Sequence, residues 1–181
     1  MLFRSLQSLL ATVLALFLVT AAHADDKIAI DANTQSALNM LRGHTSAADE
    51  LLDKAVAVLV FPDVVKMGFG TGGQYGEGSL LVKGKPAAYY VTAGAPFGLP
   101  AGSQSKSQVI LFMDQQSLQD FRNSPSWKVG IDGSVSLVQV GDAGNFDTSK
   151  STGSMLGFIF SDQGLMHNLT LEGGKITRIS R

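Results

Sequence analysis

The spacing of apolar residues changes twice along the chain, dividing it into a continuous apolar run, a helical stretch and a long β-patterned stretch. Within 31–54, Ala37, Leu38 and Leu41 recur at helical spacing, and so do Ala48, Leu51, Leu52 and Ala55. Gly43 is expected to break this stretch, and Ser46, followed by Asp49 and Glu50, reads as an N-cap with acidic first-turn residues. The pattern predicts two short helices, or one bent helix, with a single apolar stripe. Such a stripe suits packing against a sheet or insertion into a lipid surface.

From Val56 onward the pattern is that of strands. A β-branched run over 56–61 is expected to stop at Pro62-Asp63. Strands are predicted over 68–75, 78–82, 87–92, 108–113, 127–131, 135–140, 156–160, 165–171 and 176–179, bounded by Gly, Pro or Lys-Gly turns. Asp114 caps a short helix predicted over 115–122, with Leu118 and Phe121 inward, and Asp132-Gly133 and Gly173-Gly174 read as hairpin turns. The expected fold class is α+β. An antiparallel sandwich or barrel-like sheet of many short strands carries the N-terminal helices and the one short internal helix on it.

The opening run alters the domain picture. Arg4 supplies a positive charge, residues 9–19 are uncharged and apolar, and Ala22-His23-Ala24 places small residues before Asp25. These are the three parts of a secretory signal, and the run is shorter than the roughly 20 apolar residues of a membrane span. The expected organisation is a signal peptide over 1–24 and one domain over 25–181, in the periplasm or secreted, with peripheral membrane association. The 157 residues left suffice for a self-standing core. The sequence has no cysteine, so disulfides, thiolate metal sites, a Cys nucleophile and an N-terminal lipid anchor are excluded. Arg4 is the only charge before Asp25, so 13 basic and 15 acidic residues remain, a net charge of −2. A general nucleic-acid binder carries a basic excess, and this chain has none. An anionic partner must meet a local cluster of cations.

Catalytic motifs are weak. Gly68-x-Gly70-x-x-Gly73 has the letters of a dinucleotide loop, but Gln74-Tyr75-Gly76-Glu77-Gly78 after it cannot open the helix that holds a pyrophosphate. Those glycines are expected to serve backbone geometry. Ser103-x-x-Lys106 has the Ser/Lys spacing of penicillin-recognising enzymes, yet it runs into a strand and lacks their companion elements. His44 and His167 have no metal-ligand spacing, and Asp142, Asn145 and Asp147 lack the spacing of a calcium loop. Asn168-Leu169-Thr170 is a sequon by letters in an apolar strand setting. No catalytic residue, metal ligand or cofactor is assigned.

A family pattern emerges across these same segments. Val58-Leu59-Val60-Phe61-Pro62 and Lys66 through Gly78, with its run of glycines, resemble the SYLF domain family. Three later blocks resemble it in the same order: Phe97-Gly98-Leu99 with Gln104-Ser105-Lys106-Ser107 and Leu111-Phe112-Met113; Trp127 to Ser134; and Gly164 to Gly173. The resemblance implies a non-enzymatic lipid-binding module, some members of which bind actin. Export would remove this chain from actin and phosphoinositides, leaving anionic phospholipid as the expected partner. A protein partner or self-association in the envelope is the alternative, and a hydrolase using Ser103 and Lys106 is a third reading. By the family's use of an N-terminal helix and nearby basic residues, the resemblance points to Leu38, Leu41, Leu51, Leu52, Lys54, Lys66 and Lys106 as lipid contacts.

Overall fold

The structure, a computed structural model, describes residues 27–66, 73–94, 105–138, 153–166, 169–171 and 173–181. Three helices are described: α1 over 27–44, α2 (Ala47–Lys54) and α3 (Gln115–Asn123). Nine strands follow the first two helices: β1 (Ala57–Lys66), β2 (Gln74–Val82), β3 (Lys85–Gly94), β4 (Ser105–Phe112), β5 (Ser126–Lys128), β6 (Ser136–Leu137), β7 (Met155–Ser161), β8 (Gly164–Leu165) and β9 (Lys175–Ile179). They form one sheet in the order β5-β9-β3-β2-β1-β4-β7-β6, with β8 paired to β7. The α+β expectation holds, with the sheet curled into a half-barrel. All strand pairs are antiparallel except β6 with β7, which is parallel.

Alternation along the strands divides the core in two. One face of the sheet carries Leu59, Phe61, Leu80, Tyr90, Ile110, Phe112, Ile159 and Ile176. Residues from β9 and from β7 share this cluster because the sheet curls. A Cβ on Gly133 would touch both the Trp127 ring and the Met155 methyl group, which bring the two sides together. The concavity is plugged by α3, whose Phe121 ring lies 5.0 Å from Tyr90, 5.0 Å from Phe112 and 5.6 Å from Trp127. The opposite face carries Val58, Val60, Val109, Leu111, Phe158 and Phe160 and is covered by α1 and α2. Thr34 Oγ1 meets Ser79 Oγ at 3.1 Å beneath α1, and His44 Nε2 donates to Ser161 O at 2.9 Å. These bonds fix α1 across the sheet.

Several local expectations change. Gly43 does not break α1, which runs to 44. Ser46 is in helical conformation and makes no capping bond; Thr45 Oγ1 instead accepts from Ala47 N at 3.2 Å. Pro62-Asp63 does not end β1. It sits in a bulge, seen as a register shift against both β2 and β4, and proline is tolerated there because a bulge frees it from the ladder. The two strands expected around Gly76 are one, β2, because the extended chain passes through Gly76 and Gly78 unbroken. Gly78 is required by closeness: a Cβ there would lie 2.0 Å from Val60 O and 2.7 Å from Phe61 Cδ1. Lys83-Gly84, with φ of 51° and 74°, closes the β2–β3 hairpin as a primed turn requires. Asp132-Gly133 and Gly173-Gly174 form turns but no hairpins, since β9 pairs with β3 and β5. Asp114 caps α3 as expected, accepting from Ser117 N at 2.7 Å.

Candidate anion-binding groove

The seven residues implied as lipid contacts do not come together. Leu38, Leu41 and Leu51 are buried against the sheet, Leu41 completely, so the stripe is used for packing and offers these leucines to no lipid surface. The reason is that Val58, Val60, Val109 and Leu111 make the covered face of the sheet apolar as well, and the two apolar surfaces remove each other from water. Leu52 is half-buried at the margin of this cluster. Lys54 is exposed and pairs with Glu50 one turn earlier, an exposed pair of small energetic consequence. Lys66 ends β1, and its side chain lies outside the described residues. Lys106 is 1 % exposed, and among the described residues its Nζ has no hydrogen-bond partner. It shares the concave face with Ile110 and Phe112 and is cross-strand from Val64, so burial alone pushes its pKa below the usual lysine value. A buried amine of this kind cannot reach a membrane surface. The signal segment, Gly70, Ser103, the acidic loop residues 142–147, His167 and Asn168 also lie outside the described residues.

Cations do converge elsewhere. The start of β3, the segment leaving α3 and the end of β9 enclose a cleft of about 840 Å³, with Lys27 of α1 at its rim. The segment from Arg122 at the end of α3 to Pro125, just before β5, lines one side of the cleft. Arg178 is placed by register, directly opposite Tyr90 of β3. Arg122 follows Phe121, whose ring lies 5.0 Å from that of Tyr90, and both guanidiniums oppose the burial-driven rise in the Tyr90 pKa. Both are exposed, and neither has an acidic partner within 4 Å among the described residues.

The other charges nearby are engaged. Lys27 Nζ stands 5.7 Å from the Tyr89 ring centre, and the Tyr89 hydroxyl donates to both Asp31 oxygens at 3.0 and 3.2 Å. Burial, and then the bond to Asp31, raises the Tyr89 pKa. Arg181 pairs with Glu77, which also accepts from the Tyr75 hydroxyl at 2.6 Å. Burial alone would raise the Glu77 pKa, but these two donors bring it below the usual value. Burial and the Glu77 bond push Tyr75 up to about 12. What remains is a polar cleft with two unneutralised planar guanidiniums, a geometry suited to phosphate or carboxylate oxygens.

Sequence reasoning passed over Lys27, Tyr89, Arg122 and Arg178. One signal was present: β9 reads Lys-Ile-Thr-Arg-Ile, two cations with no acid. Their convergence depends on β9 joining the sheet beside β3, a pairing of residues more than 80 apart. Among the described residues no cluster of His, Asp or Glu is arranged to hold a metal ion, and no helix is long and apolar enough to cross a membrane. Residue Gly73 leads into β2 and not into a helix, which removes the dinucleotide-loop reading.

No curated protein matches this chain. A family model does, described as Ysc84, Las17-binding protein actin regulator, and it covers residues 93–180. The matched segment includes Arg122 and Arg178 but, of the seven implied lipid contacts, only Lys106. Residues 93–180 of this chain therefore match the Ysc84 (SYLF) domain family, the same family that the ordered blocks of its sequence resemble.

Proposed function

We propose that residues 25–181 act as one non-enzymatic binding domain of the bacterial cell envelope, which holds anionic phospholipid by its headgroup. The headgroup phosphate sits in the groove between Lys27, Arg122 and Arg178. The observation that carries this reading is the pair of guanidiniums at one cleft, without acidic partners within 4 Å among the described residues. In a chain of net charge −2 after Ala24, two such groups in one place form the local cation cluster that an anionic partner requires. The family's link to lipid and actin binding supports a binding role in general.

Co-sedimentation with phosphatidylcholine vesicles, with and without phosphatidylglycerol, is the test. Binding is expected to the anionic vesicles alone and to fall as salt rises. Each cation near an anionic surface is worth about 1 kcal/mol, so Arg122→Gln with Arg178→Gln should weaken binding roughly 30-fold. Both side chains are exposed, so the melting temperature should stay unchanged. Absence of binding to anionic vesicles refutes the reading. In the envelope reading the exported chain begins at Asp25, and an intact mass that retains residues 1–24 refutes that part.

The family description names a protein partner, which favours a second reading: an assembly module in which the same groove takes an acidic protein segment. Native mass measurement on the protein from its own source separates a protein complex from a lipid adduct. The hydrolase reading has less support, since Lys106 lies in a strand and is buried.

A further inference from the structure

The sheet edge that carries the groove continues to an apolar tip. Strand β5 lies outside β9, with Ser126 opposite Thr177 and Lys128 opposite Lys175. Beyond Lys128 the chain turns through Gly130, Ile131 and Asp132. Ile131 is 77 % exposed, more than either of the other large exposed apolar residues described, Ile28 and Met40.

This turn is firmly built. Lys128 N donates to Asp132 Oδ2 at 2.7 Å, and Asp132 N returns a bond to Lys128 O at 2.9 Å. Gly130 N donates to Gly133 O at 2.8 Å, and Gly130 supplies the positive φ of 87° that closes the turn. The base is tied to the core: Val129 is buried and exchanges backbone bonds with Gly174 and Gly173 at 2.9 and 3.1 Å. An isoleucine held out on such a base gains nothing from folding, because its side chain stays in water.

The charges beside it are arranged at a cost to the free protein. Lys128 and Lys175 are directly opposed across β5 and β9, an arrangement that destabilises a sheet when the charges are alike. Both are exposed, and among the described residues neither has an acidic partner within 4 Å. Neither β5 nor β9 contains an acidic residue. Arg178 lies three residues along β9 from Lys175, about 10 Å, and by strand alternation projects from the opposite face, so the cations beside the tip are Lys128 and Lys175.

We propose that the turn from Lys128 to Gly133 is a membrane-docking tip: Ile131 enters the interfacial layer of an anionic phospholipid surface while Lys128 and Lys175 contact its headgroups. The inference rests on the anionic-lipid reading above and adds the orientation in which the domain meets the surface. An apolar tip whose two flanking lysines outnumber its one carboxylate, Asp132, is complementary to such a surface, which offers an apolar layer beneath negative charge.

Because the chain has no cysteine, Ile131→Cys and Met40→Cys each carry one polarity-sensitive fluorophore without further change. With phosphatidylglycerol-containing vesicles, the label at 131 should shift to the blue and be quenched by lipid-borne quenchers, while the label at 40 should not respond. Ile131→Ser in the unlabelled chain should weaken vesicle binding about tenfold or more with no change in melting temperature. Lys128→Gln with Lys175→Gln should weaken binding and flatten its salt dependence. If the unmodified chain binds anionic vesicles and the label at 131 is silent, or responds no more than the label at 40, the docking tip is refuted and the lipid reading stands. If the unmodified chain binds no anionic vesicle, the lipid reading falls and the tip with it.

Discussion

Replacing Lys106 by methionine should stabilise this protein. Its ammonium position is fully buried on the concave face of the sheet, and among the described residues Nζ has no hydrogen-bond partner. Gln108 Nε2, two residues along the same strand, is likewise unsatisfied, so the neighbourhood supplies no compensation. An unsatisfied buried polar group costs about 1–3 kcal/mol, more if charged. Methionine keeps the length and flexibility of the lysine stem and removes that penalty. The gain should therefore be at least about 1 kcal/mol, or roughly 2–4 °C in melting temperature for each kcal/mol in a chain of this size. The pH dependence gives an independent check. Burial depresses the folded-state pKa of Lys106, so between that value and the unfolded value near 10.5 the unfolded chain binds the extra proton. Stability of the unmodified protein must then rise with pH through this window, by up to about 1.4 kcal/mol per pH unit. Lys106→Met should remove the rise. Urea unfolding of both proteins between pH 7 and about 9.5 measures it, below the range in which the tyrosines ionise. A variant less stable than the parent, or one that keeps the same pH slope, would refute this account.

Three further outcomes are expected. Gly78→Ala places a methyl group 2.0 Å from Val60 O, backbone that cannot yield, and should cost well over about 3 kcal/mol or prevent folding, read as loss of a cooperative melt. Leu41→Ala should cost about 2–5 kcal/mol in urea unfolding, because Leu41 is fully buried between α1 and the sheet; unchanged stability would mean that the stripe is exposed after all. Asp114→Ala removes the bond from Ser117 N that caps α3 and should cost about 1 kcal/mol, with Asp114→Asn restoring most of it.

The helices, the β-rich remainder and the capped α3 were legible because each depends on residues close in sequence. Periodicity marks which side of an element is apolar, and Asp114 reaches its Ser117 partner three residues away. The same locality explains the misreadings. Pro62-Asp63 carries a stop signal by propensity, yet pairing on both sides holds β1 together through a bulge. Ser46 resembles a cap, but the buried Thr45 takes that place because the turn between α1 and α2 is packed against the sheet. The Asp132-Gly133 and Gly173-Gly174 signals suggest adjacent strands, while β9 joins β3 from far along the chain.

Amphipathicity by itself leaves the partner of an apolar stripe open. A sheet face and a lipid surface both reward the burial of Leu38, Leu41 and Leu51, and only the presence of a second apolar surface in Val58, Val60, Val109 and Leu111 decides for the sheet. Charge behaves in the same way. Local pattern in the chain is enough for the fold class and the family blocks, and a net charge of −1 obliges any anionic partner to meet a local cation cluster. Which cations form that cluster was decided by tertiary structure alone. The pairing of β9 with β3 and β5 places Arg178 opposite Tyr90 and Lys128 against Lys175, α3 brings Arg122 to the same cleft as Arg178, and the fold takes Lys106 out of water. Electrostatic potential follows distance in space, and these distances are set by strand pairings that no local pattern encodes.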